Sequence, residues 1–149
     1  MKVEFFKLIE TGTCGVFRCP VRLPESALAL AEQAGWRTVP VDLLGARDKH
    51  KFLTALAGAL RFPDYFGHNW DALYDGLLDI EHAGRGTLIV LQSASNFARA
   101  EPDEFSAAMG ALADATDYWT NDDRSLLVVV ELETGALAPD LAEITLPAA

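Results

Sequence analysis

The sequence predicts an α/β fold: a small three-stranded parallel sheet packed with helices, preceded by an N-terminal strand or hairpin and a helix. Three observations carry this expectation. "TLIVLQ" (87–92) and "LLVVVEL" (126–132) are almost continuously apolar, as strands buried on both faces of a parallel sheet are. Segments with helical spacing lie before and between these runs. A further strand-like segment, "WRTVPVDL" (36–43), precedes the first of those helices. With 149 residues, 50% of them apolar, the chain suits one folded domain with a sizeable core.

From the N-terminus, "VEFFKLI" (3–9) and "CGVFRC" (14–19), separated by "ETGT", read as two short strands joined by a turn. "PESALALAEQAG" (24–35) has the leucines and alanines of a helix, with Pro24 near its start and Gly35 as a stop. Pro40 cannot donate to a ladder, so the strand at 36–43 belongs at an edge or carries a bulge. "ARDKHKFLTALAGAL" (46–60) places Phe52, Leu53, Leu56 and Leu60 on one helical face, with Asp48 as N-cap. In "FPDYFGHNWDALYDGL" (62–77), Pro63 and Gly67 punctuate a loop and Asn69 caps a helix whose inward stripe is Trp70, Leu73 and Leu77.

The segment "PDEFSAAMGALADATDYW" (102–119) repeats Phe105, Met109, Leu112, Thr116 and Trp119 at helical spacing, and Pro102 with Asp103 makes a start signal. Strand, helix, helix, strand, helix, strand over 36–132 implies right-handed crossovers around the sheet. The tail from Gly135 is expected to be loose or to add one short strand. The chain thus divides into a 1–35 extension packed on the same domain, a 36–132 domain and a 133–149 tail.

The formal charge is −10, and it is unevenly spread: residues 1–61 carry a net +3, residues 62–149 a net −13. So acidic a region argues against direct nucleic-acid binding, which needs cationic contacts to phosphates. It suits a basic protein partner, though acidity also serves plain solubility. No apolar run approaches a membrane span, and Glu4 and Lys7 break up the N-terminal apolar residues, unlike a secretory signal. Cys14 and Cys19 make no disulfide framework, so a reducing, cytoplasmic setting is expected.

The sign of the charge changes at residues 62–77, where five aromatic rings and His68 stand among three aspartates with no lysine or arginine. Asp71 and Asp75, four residues apart, share a helix face and repel by a few tenths of a kcal/mol. The helix N-terminus offsets this, chiefly for Asp71. Such a pair is either a solvated face or a surface that receives a cation. Acid–base catalysis would need carboxylates in unlike surroundings, which two aspartates on one exposed turn lack. A metal-assisted hydrolase built on Asp71, Asp75 and His68 would have few ligands, and Cys14 and Cys19 with His50 or His82 lack zinc-site spacing. There is no phosphate-cradling glycine loop, G-x-S-x-G elbow or H-E-x-x-H pair.

The stretch "FPDYFGHNWDALYDGL" resembles the signature of the barstar-like family of ribonuclease inhibitors: an aromatic pair before a glycine, then Asn, Asp-Ala-Leu, an aromatic residue and another Asp. The likeness extends over about residues 36–132, and residues 1–35 are similar to the N-terminal extension of longer family members. The resemblance implies a non-catalytic chain without cofactor or metal, whose acidic helix and preceding loop plug a ribonuclease active site. Its partner would be a basic, extracellular-type ribonuclease or nuclease toxin, bound one-to-one by an otherwise monomeric protein.

On this resemblance Asp75 matches the central carboxylate that sits where an RNA phosphate would bind, and Asp71 a second acid facing the enzyme. Tyr65 matches an aromatic packed on the catalytic histidine, Gly67 a glycine whose backbone lies close to the partner, and Tyr74 an interface tryptophan. Asp114, on the helix over 102–119, matches an outlying contact glutamate. His68 and Asn69 complete the expected contact set. The chain departs from the pattern where His68 replaces an acid, Tyr74 a tryptophan and Gly76 a cysteine, changes that bear on which ribonuclease is met. An alternative is a barstar-like module that binds another basic protein without inhibiting a ribonuclease.

Overall fold

The computed structural model describes residues 1–63, 67–81 and 84–146. Six parallel strands form one sheet in the order β1-β6-β2-β5-β4-β3. They are β1 (Lys2–Glu4), β2 (Gly15–Cys19), β3 (Trp36–Asp42), β4 (Gly86–Gln92), β5 (Ser125–Glu131) and β6 (Glu143–Thr145). The helices are α1 (Phe5–Thr11), α2 (Glu25–Gln33), α3 (Lys49–Leu60), α4 (Trp70–Leu78), α5 (Ser95–Ala100) and α6 (Pro102–Trp119). Among the described residues no helix is long and apolar enough to cross a membrane.

The two apolar runs are buried on both sides, as their composition requires. Along β4, Ile89 and Leu91 face one core while Leu88 and Val90 face another, and β5 alternates in the same way. The first core is closed by α3, α4, α5 and α6 through Phe52, Leu53, Leu56, Leu73, Leu77, Phe97 and Leu112. The second is closed by α1 and α2, through Phe5, Leu8, Ile9, Ala27 and Ala31. Pro40 lies in β3 at one edge of the sheet, where a residue without an N–H costs no ladder bond.

Two expectations need correction. The sheet has six strands, not three, and the N-terminal hairpin does not form. Only residues 2–4 of the first segment are extended, and Phe5–Thr11 is helical. Phe5, Leu8 and Ile9 recur at i, i+3 and i+4 and are buried, and Gly12 ends the turn in the left-handed region at φ 67°. With a helix in place of a strand, β2 pairs in parallel with β5, from Gly15 opposite Leu127 to Cys19 opposite Glu131.

The tail supplies β6, inserted between β1 and β2. Arg18 on β2, 7% exposed, forms an ion pair with Glu143 on β6 and donates Nη1 to the Leu132 carbonyl. Glu131, also 7% exposed, accepts from the backbone N–H of Leu23 at 2.9 Å and of Ser93 at 3.3 Å. Its carboxylate thereby joins the connection after β2 to the end of β4.

Candidate functional site

Helix α4 stands at the centre of the site, and local rules fix both its start and its facing. Asn69 is extended at φ −144°, and its Oδ1 accepts the Ala72 N–H at 2.7 Å. Leu73 and Leu77 are fully buried against the first core, and Trp70 is half-buried. That leaves Asp71 and Asp75 exposed on the outer side. Asp71 lies in the first turn, where the helix dipole favours a carboxylate.

Helix α6 runs beside α4, and a groove lies between them. Trp70, Asp71 and Tyr74 line it from α4, and Ala107, Gly110, Ala111, Asp114, Asp117 and Tyr118 from α6. Three carboxylates and three aromatic rings therefore share one cleft, and none of its described lining residues is cationic. Asp75 is one turn further along α4 and outside the lining. Asp117 and Tyr118 were not singled out from the sequence. The signal was present, because Phe105, Met109 and Leu112 face inward and so place Asp114, Asp117 and Tyr118 on the opposite side of α6.

The loop that leads into α4 is tied to α3. His68 stacks on His50 with ring centroids 4.5 Å apart, and its Nε2 lies 3.2 Å from Thr54 Oγ1. Both His68 and Gly67 are exposed, and the Gly67 carbonyl accepts the Asn69 N–H at 3.0 Å. Tyr65, expected to contact the partner, lies outside the described residues. His68 is thus turned towards α3, and among the described residues no three His, Cys, Asp or Glu side chains are grouped to hold a metal ion.

Gly76 has a packing reason. A Cβ at this position would stand 2.8 Å from Phe62 Cζ and 3.0 Å from Cε1 and Cε2, so the phenyl ring occupies the space that a side chain would need. The glycine costs about 1 kcal/mol against alanine in a helix interior, and the Phe62 contact offsets it. Accordingly, Gly76→Ala should fail to raise the melting temperature despite alanine's higher helix propensity. Made in a Phe62→Ala background, the same change should raise it. Thermal melts of the four proteins read this sign reversal directly, and a stabilised Gly76→Ala single variant would contradict it.

The cysteines take no part in the site. Cys19 is fully buried and burial pushes its thiol up, an effect opposed by a backbone hydrogen bond at Val21 and assisted by the Glu131 carboxylate. A thiol-reactive dye should therefore leave Cys19 unmodified in the native protein and reach it only in denaturant. Rapid native labelling of both cysteines would contradict this placement.

Among known families, residues 36–131 match the family model described as Barstar (barnase inhibitor). No curated protein matches the chain.

Proposed function

The chain belongs to the barstar family, and we propose that it is an inhibitor of a basic ribonuclease, acting as a stopper for the enzyme's active site. The observation that carries this reading is the gathering of Asp71, Tyr74 and Asp114 in one cleft with no cation among its described lining residues, and with Asp75 exposed one turn along α4. A ribonuclease site is cationic because it must hold the RNA phosphates. An acidic and aromatic face complements it in charge, and aromatic rings supply contact area at low entropic cost.

In the complex Asp75 takes the place of a phosphate among the enzyme's cationic and histidine groups, and Asp71 meets a neighbouring cation. Tyr74, Tyr65, Gly67, His68 and Asn69 furnish the contact around them, and Asp114 a charge at the rim. No bond is made or broken, so the chain is a binding protein rather than an enzyme. It works as a monomer in a one-to-one complex in the cytoplasm, as immunity against a nuclease toxin would require.

Co-expression with basic nuclease toxins tests the reading in cells. The chain should rescue growth against its cognate toxin, and the Asp75→Ala variant should not. Rescue that survives Asp75→Ala would mean binding through another surface.

A further inference from the structure

Trp70 is the first residue of α4 and directly precedes Asp71, and its indole reaches two other helices. The ring lies edge-to-face with Phe52 of α3, centroids 5.7 Å apart at 65°, with Lys49 Nζ 5.3 Å from its centroid. Its Nε1–H donates to Glu104 Oε2 at 3.0 Å. Glu104 is half-buried in the first turn of α6, where the N-terminus of an 18-residue helix favours its charge. Nothing in the sequence separates Glu104 from the other surface acids.

The arrangement bears on how the acidic face is aimed. Helix α4 has nine residues and only two fully buried anchors, Leu73 and Leu77, both on one side. Dispersion contacts of two leucines are non-directional and tolerate rotation about the helix axis. A hydrogen bond from a rigid ring to a charged acceptor does not, since it weakens steeply with angle. Among the described residues two indole hydrogen bonds hold α4: Trp70 to Glu104 at its N-terminal end, and the Trp119 indole N–H to the Leu77 carbonyl at 3.0 Å at its C-terminal end. The one at the N-terminal end adjoins Asp71 and so bears most directly on where the acidic face points.

We propose that Glu104 is a positioning residue that, through the indole of Trp70, fixes the rotation of the N-terminal turn of α4 and so aims Asp71 and Asp75 at the partner. Its effect on binding rests on the ribonuclease reading above. Its effect on α4 does not.

Two measurements on the full chain separate these. Amide hydrogen exchange without any partner should show α4 amides exchanging about tenfold faster in Glu104→Leu than in the parent protein, the scale of one lost charge-assisted hydrogen bond. The α2 amides, on the opposite face of the sheet, serve as reference and should not change. Trp70→Phe, which keeps the ring and removes the donor, should behave alike, and Glu104→Gln, which keeps an acceptor oxygen, should restore the parent pattern.

Inhibition of barnase, used as the probe enzyme, should weaken by about tenfold in Glu104→Leu and by less than threefold in Glu104→Gln. Unchanged α4 exchange in Glu104→Leu would overturn the proposal. Equal losses in the Gln and Leu variants would do so too, because the carboxylate would then be acting through its charge. A parent chain that leaves barnase active refutes the ribonuclease reading for that enzyme, while the exchange data still decide the role of Glu104.

Discussion

Replacing Asp75 by alanine is expected to weaken the complex with a barnase-type ribonuclease by about 2–5 kcal/mol, the cost of stripping the counter-charge from cations that remain buried. The same change should leave the free protein as stable as before, or stabilise it by a few tenths of a kcal/mol by ending repulsion with Asp71 four residues away. Asp75 is exposed on α4 and belongs to none of the ion pairs found among the described residues. Nothing in the fold depends on it, so a loss confined to binding marks a residue held for a partner. Calorimetry with the enzyme and thermal melts of the free chain measure the two halves. An affinity left intact by Asp75→Ala would remove this residue from the site.

The second large effect concerns the two terminal segments. Glu143→Ala is expected to destabilise the protein by about 3 kcal/mol, towards the lower end for removing one member of a buried ion pair. Arg18 would keep its charge in a side chain 9% exposed, with the Leu132 carbonyl as the one acceptor left among the described residues. Among the described residues its Nε has no hydrogen-bond partner even in the parent protein. Glu143 is 24% exposed and also meets Lys2 at 3.7 Å, which moderates the penalty. Because β6 lies between β1 and β2, we further propose that both terminal segments unfold together with the residues 36–131 core. Urea denaturation followed by fluorescence and by circular dichroism should give one shared transition at lower urea in Glu143→Ala. Two separated transitions would show that the added strands are a dispensable attachment.

The parts of the fold that could be read from the sequence are those in which one chemical rule dominates. Asp48 and Asn69 cap α3 and α4 as their side chains imply, with Asp48 Oδ1 accepting the Lys51 N–H at 2.8 Å. The apolar runs at β4 and β5 fit strands covered on both faces, and they lie in the sheet between the two cores. Residues 3–9 misled because Phe5, Phe6 and Ile9 favour strands by type while Phe5, Leu8 and Ile9 follow a helical period. The period prevailed, since it buries all three on one face. The strands β1 and β6 have three residues each, too few to show any alternation.

At the site, the inward and outward faces of α4 followed from Leu73, Leu77, Asp71 and Asp75. The partner chemistry came from resemblance, because exposed carboxylates read alike whether solvated or waiting for a cation. Spacing predicts a buried Trp70, which instead packs half-buried against the core with its N–H spent on Glu104. That bond joins residues 34 positions apart, and no local pattern encodes it.

Competition at the enzyme's active site tests the stopper most directly. A catalytically inactive barnase-type ribonuclease is titrated with the chain in the presence of rising concentrations of a 3′-nucleotide that occupies the phosphate site. If Asp75 stands where the phosphate binds, the apparent dissociation constant should rise linearly with nucleotide concentration, by a factor of one plus the ratio of that concentration to the nucleotide's own dissociation constant, without a plateau. In Asp75→Ala the binding that remains should depend less on the nucleotide. Binding of the parent chain that is indifferent to saturating nucleotide would place the complex elsewhere on the enzyme and contradict inhibition by occupation of its active site.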